Sequence, residues 1–256
     1  MRIVTWNVNG LRSLDKNGLW DAFFELAPDV IFLQEIKAEE NQLSDSMKKP
    51  AGYVAAFNSC RVRKGYSGVA LYSTVAPDSI ETDVLPEELN TEGRLIQATF
   101  GDVVTIGIYF PNSGRGPERL DYKLRFCDAL LEHMEKLRKS GKSVVFCGDI
   151  NIAHHEIDVA RPDEWQGVAG FLPEEREWLD QIEQMGYVDA FRHFYPTKAG
   201  AYTYWDNWRG MRERNVGWRL DTFFVSPDLV PKLKKCEIAP EVFGSDHCPV
   251  VLDIDL

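Results

Sequence analysis

Cysteine is sparse. There are five, at 60, 127, 147, 236 and 248, odd in number and widely spaced, with no Cys-x-x-Cys pair. This excludes a disulfide framework and a thiolate zinc site, and leaves buried or incidental thiols. Long apolar runs are also missing. Nothing approaches the roughly 18 residues a bilayer span needs, and no membrane partner is expected. The opening MRIVTWNVNG reads as a strand rather than a secretion signal, so a cytoplasmic protein is expected. No linker, low-complexity tract or obvious repeat interrupts the chain, which implies one domain over residues 1–256. Positive charge is short as well. Lys and Arg total 29 against 40 Asp and Glu, a net charge of −11. Taken alone, this argues against a nucleic-acid partner, because neutralising phosphates requires cations.

The distribution of charge matters more than its sum. Within 208–219, Arg209, Arg212, Arg214 and Arg219 face a single acid, Glu213, and Arg61, Arg63 and Lys64 form a second basic knot. Acids collect in 81–92 and 174–183. An acidic protein can still bind DNA through one basic face, and clustered carboxylates can hold metal. Hydrophobic residues make up 44%, enough for a sizeable core. Short β-branched runs bounded by Gly, Pro, Asn or Asp predict strands at 3–6, 30–33, 53–57, 69–72, 95–100, 103–109, 144–147, 223–225 and 250–254. Apolar spacings of 3, 4 and 7 predict helices over 119–139 and, after a Pro and an acidic start, 173–185. Strand clusters interrupted by few helices imply an α/β fold with two packed sheets and helices outside, rather than alternating βαβ units.

Polar residues stand where these strands end. Asn7 and Asn9 follow the first, Glu35 the second, Tyr109 and Asn112 the run 103–108, and Asp149 and Asn151 the run 143–148. Asp221 precedes one strand, and Asp246 and His247 precede the last. A single strand-end Asp or Asn is usually a turn former. The whole set together suits phosphodiester hydrolysis. Carboxylate and amide oxygens suit Mg2+, an Asp can deprotonate water, and a cationic His held by an Asp can stabilise phosphoryl charge. Arg, Asn and Tyr can hold the phosphate without reacting.

At these residues the sequence resembles the exonuclease III class of abasic-site endonucleases, within the endonuclease/exonuclease/phosphatase superfamily that includes DNase I. The stretches that carry the resemblance are WNVNGLRS at 6–13, LQEIK at 33–37, GYSGVALYS at 65–73, EGR at 92–94 and YFPNSGRGPERLDYK at 109–123. They continue with CGDINIAHHEIDVARP at 147–162, GFLPEEREWLD at 170–180, RNVGWRLD at 214–221 and GSDHCPV at 244–250. The resemblance implies a four-layered α/β sandwich of two mostly antiparallel sheets flanked by helices. It implies Mg2+, with Mn2+ able to substitute and one or two ions acting. Glu35 would be the main ligand, with Asn7 and Asp246 around it, and a second ion could use Asp149, Asn151 and His247. Asp149 would activate the water, Asn151 would position it, and His247, paired to Asp221, would contact the scissile phosphate. Tyr109, Asn112 and Arg115 would line the phosphate pocket. Trp218, Leu220 and Tyr204 would wall an abasic pocket, with Trp208 and Arg212 holding the strand. The implied partner is double-stranded DNA containing abasic sites, bound by a monomer. Two positions depart from the pattern: Asn9 stands where some relatives carry Asp, and Tyr204 where Phe or Trp is usual.

Other readings apply nearby. His154 and His155 read as structural, bonding nearby backbone, and His133 and His193 as surface. Tyr202, Trp205, Leu179 and Met185 read as core, and Glu174, Glu175 and Glu177 as a helix N-terminus on a solvated face. A phosphomonoesterase acting on inositol phosphates or lipids could use the same fold, and a non-catalytic DNA-binding protein would show gaps in the acid, amide and His set. The set has no gap, and the stretches at 113–123 and 208–221 favour a nuclease.

Overall fold

The computed structural model describes residues 1–20, 24–114 and 116–256. Twelve strands among them form two six-stranded sheets. The first has the order β11 (Leu233–Ile238), β12 (Val250–Ile254), β1 (Arg2–Asn7), β2 (Val30–Gln34), β4 (Val69–Ser73), β3 (Val54–Asn58). The second has the order β5 (Ser79–Glu81), β6 (Leu95–Phe100), β7 (Val103–Tyr109), β8 (Ser143–Asp149), β10 (Asp221–Val225), β9 (Val188–Asp189). Each sheet is antiparallel except for one central parallel pair, β1 with β2 and β7 with β8.

Side-chain alternation makes the four layers. Ile3, Val30, Phe32, Val69 and Leu71 of the first sheet meet Ile96, Val145, Cys147 and Phe223 of the second in a shared core. The outer face of the first sheet, including Val4, Trp6, Ile31 and Leu33, packs under Leu11, Leu14 and Met47 from short helices. The outer face of the second, including Val104, Ile106 and Phe146, packs under two helices, Pro117–Lys139 and Pro173–Gln184. Gly107 lets the two sheets approach closely there: a Cβ would lie 2.0 Å from Phe32 Cδ1. Among the described residues no helix is long and apolar enough to cross a membrane.

The nine expected strands are present, with ends that coincide or move by one or two residues. Three more, β5, β9 and β11, lie at sheet edges. Edge strands are short and charged, as in LKKCEI, and so lack an apolar signature. Met185, expected in the core, is 39% exposed because the helix ends just before it at Gln184. Glu175, expected on a solvated face, is fully buried.

Candidate active site

Strand parity aims the site. Ile3 and Val145, Cys147 and Phe223 face the shared core, so the residues in phase with them at the strand ends, Asn7, Asp149 and Asp221, point into the rim between the sheets. Tyr109 and Asp221 are the register partners of Asp149 on either side. Glu35 follows β2 out of phase. Its left-handed backbone, φ 51°, returns the side chain to the cleft, where Glu35 Oε1 accepts a hydrogen bond from the Tyr109 hydroxyl. Asn9, Lys37 and Asn151 also have positive φ and line the same cleft. Asn tolerates that region, but for Glu and Lys it is strained, a cost seen mainly at functional sites. Gly148, at φ 143°, lets β8 approach β7 beside Asp149. A Cβ there would lie 1.8 Å from the Ile108 carbonyl oxygen.

The cleft holds about 790 Å3. Asn7 Nδ2 donates to Asp149 Oδ2 at 2.8 Å, and the Asn151 backbone N–H donates to Asp149 Oδ1 at 2.9 Å. His247 Nδ1 lies 2.8 Å from Asp221 Oδ2, and its Nε2 lies 3.8 Å from Asp149 Oδ2, too far for a direct hydrogen bond. Burial pushes the Asp149 carboxyl up to about 7, against the pull of the His247 charge and the Asn7 bond. Burial works against charge on His247, but Asp221 and Asp149 outweigh it and raise the imidazole to about 10. Asp149 is therefore poised as a proton acceptor near neutrality and His247 as a cation. Ligand atoms of Asp149, Asp221 and His247 lie within 4.8 Å of one another, close enough to share a metal ion as well.

The donor set suits a hard divalent ion. Glu35, Asp149 and Asp246 supply carboxylate oxygens, and Asn7 and Asn151 supply amide oxygens. The cluster already draws a cation, since the Lys37 ammonium lies 2.7 Å from Glu35 Oε2 and bonds Asn9 Oδ1. Asn9 in turn donates to Asp246 Oδ1 at 3.0 Å, so this amide links lysine to carboxylate. Asn112 Nδ2 donates to Asn151 Oδ1 at 3.3 Å. At the far wall Tyr204, Trp218 and Leu220 meet Trp165, whose ring stacks on Trp218 at 4.6 Å. Tyr204 is bridged to both Trp218 and His247, which joins this wall to the polar groups of the cleft.

Two expected DNA contacts stand apart from the cleft. Arg212 gives its donors to the carbonyls of Ser245, Pro240 and Val242 and lines a separate cleft, so it staples a loop. Trp208 is 58% exposed under Arg209 and is not among the cleft-lining residues. Arg115 lies outside the described residues. Arg219, part of the basic stretch in sequence, is buried against Asp158 and Asp189.

The groups behind the site carry no catalytic or binding expectation from the sequence, which places Glu175 on a solvated face. Glu92 pairs with Arg94 and Arg119, and Arg94 donates to the Tyr109 carbonyl and lies under the Tyr109 ring. Fully buried Lys123 donates to the Asn151 carbonyl and to Glu175. Glu175 also accepts from Ser113, Gly170 and Leu172. The motifs at 92–94, 109–123 and 170–180 contain these residues, but a motif does not reveal burial.

A deep cleft at the carboxyl ends of two parallel pairs, lined by acids, amides and an Asp-held imidazole, defines a phosphate-ester hydrolase. Residues 4–247 match the Endonuclease/Exonuclease/phosphatase family, and the chain belongs to it. It is 40% identical to the exodeoxyribonuclease of Bacillus subtilis (strain 168), over 100% of both chains. It is also 40% identical to the DNA repair nuclease APEX1 of Danio rerio, over 98% of this chain and 81% of that one. The structure of an AP endonuclease from Archaeoglobus fulgidus matches with a TM-score of 0.89 at 30% identity, over 100% of both chains. The chain is thus a nuclease of a metal-dependent hydrolase family, with the sandwich fold expected of it.

Proposed function

We propose that the protein hydrolyses the phosphodiester 5′ to an abasic site in duplex DNA. At the same centre it has 3′→5′ exonuclease and 3′-end-cleaning activity. It works with Mg2+, replaceable by Mn2+, as a monomer in the cytoplasm. The observation that carries this reading is the pocket of Tyr204, Trp165, Trp218 and Leu220 beside His247. A baseless sugar leaves the helix with little stacking to break, and an apolar pocket next to the reacting phosphate can accept it and exclude a full nucleotide.

Glu35, with Asn7 and Asp246 beside it, would hold Mg2+, which would supply positive charge at the phosphate when bound. Asp149 takes the proton of the attacking water, and Asn151, bonded to Asp149 and Asn112, orients that water. His247, held by Asp221, donates from Nε2 to a phosphoryl oxygen. Tyr109, Asn112 and Arg115 hold the phosphate, and Trp208 supports the strand outside the cleft. Incision rates on a duplex with one abasic analogue and on an undamaged duplex with a recessed 3′ end test the reading. The abasic duplex is expected to be cut faster, and Trp218→Ala is expected to lower that preference roughly tenfold. Equal rates for wild type, or an unchanged ratio in the variant, would remove the abasic pocket from the assignment.

A further inference from the structure

Beyond Asn151, the loop leaving β8 turns two adjacent imidazoles, His154 and His155, toward the last turns of the helix Pro173–Gln184. Asp180 and Glu183 meet them there, three residues apart on one helix face. His154 is 4% exposed. Its Nε2 lies 2.8 Å from Asp180 Oδ1, and its Nδ1 lies 3.7 Å from Glu183 Oε1. One ligand atom from each of His154, His155 and Glu183 falls within 4.8 Å of the other two. The two rings stack, with centroids 3.7 Å apart and planes 23° apart.

A neutral imidazole carries a single N–H. With that hydrogen on Nε2, donated to Asp180, Nδ1 turns a lone pair toward the Glu183 carboxylate. Two acceptors then face each other across 3.7 Å, a gap that a proton on Nδ1 or a bound metal cation would fill. A tetrahedral ion bound at about 2.0–2.2 Å from nitrogen and oxygen holds its ligand atoms about 3.4 Å apart. The observed gap is close to that. Asp180 would then play the outer carboxylate that orients a metal-bound imidazole.

We propose that His154 Nδ1, His155 and Glu183 form a second metal site, for a transition-metal dication of the Zn2+ class. Two imidazole nitrogens and one carboxylate favour Zn2+, Co2+ or Ni2+ over Mg2+, whereas the oxygen-lined cleft favours Mg2+. His155 is exposed and closes the remaining distance by turning its side chain. An ion bound here ties the loop that follows Asn151 to the helix that carries Glu175, clamping the catalytic loop from its outer side.

The test is calorimetric titration of Zn2+ into the full-length, chelator-stripped protein in millimolar Mg2+, which fills the oxygen-lined cleft. Thermal melting is followed in parallel. One Zn2+ is expected to bind per chain and to raise the melting temperature. His155→Ala and Glu183→Gln, both at exposed side chains, are each expected to weaken binding at least about tenfold and to abolish the thermal shift. Asp180→Asn is expected to weaken binding less. If wild type takes up no Zn2+, or if both variants bind it as tightly as wild type, the proposal fails and His154 is a protonated bridge between two carboxylates.

Discussion

Replacing Asp221 by Asn isolates the charge that holds His247. The substitution keeps the size of the side chain and an oxygen within reach of Nδ1, 2.8 Å away, but removes the anion. Two unit charges at that distance interact by roughly 6 kcal/mol at an effective dielectric of 20, equivalent to about 4 pKa units. Both groups are buried, so solvent screens the pair little. His247, raised to about 10 beside Asp221, is expected to fall to roughly 6 in the variant. In the proposed mechanism His247 acts as a cation, so activity is expected to fall as pH rises through its pKa. Asp149 there acts as a base, so activity is expected to fall as pH drops through its own, near 7. Wild type should therefore give a bell-shaped profile, and Asp221→Asn should pull its alkaline limb down by several units. Near pH 8 the variant would keep about 1% of its imidazole charged, a loss of about 10²-fold in the chemical step. Single-turnover incision across the pH range, with DNA affinity measured separately, reads the effect. An alkaline limb unmoved in Asp221→Asn would refute the cationic role of His247.

Three further outcomes are expected. Asp149→Asn keeps shape and most hydrogen bonds but removes the proton acceptor, and should lower turnover by about 10²–10⁴ while DNA binding, measured by anisotropy, survives. Glu35→Gln should raise the Mg2+ concentration for half-maximal rate, and wild-type activity that persisted in EDTA would exclude the metal-dependent scheme. Glu175→Ala strands the buried Lys123 ammonium and three other donors, and should cost about 3–5 kcal/mol in urea unfolding, whereas replacing both partners with apolar residues, Lys123→Met with Glu175→Leu, should cost less than Glu175→Ala alone if the stranded charge is what matters.

Strand parity is legible in the chain alone. A period of two along 3–7, 103–109, 143–149 and 221–225 is local, and it sends Asn7, Tyr109, Asp149 and Asp221 to the same side as the core residues of their strands. The identities of Glu35 and His247 are equally plain at their strand ends. What the chain does not state is which charges lose their water. Glu175 and Arg219 look like surface residues in sequence, because burial depends on partners 52 residues away at Lys123 and 61 away at Asp158. Arg212 looks like a free cation among arginines, and only the fold of the loop turns it onto three carbonyls. The proximity of His154 to Glu183 follows from the docking of a helix whose own sequence says nothing of the loop it meets. Local periodicity needs only the backbone, whereas desolvation and pairing are set by which segments pack together, and that is decided in three dimensions.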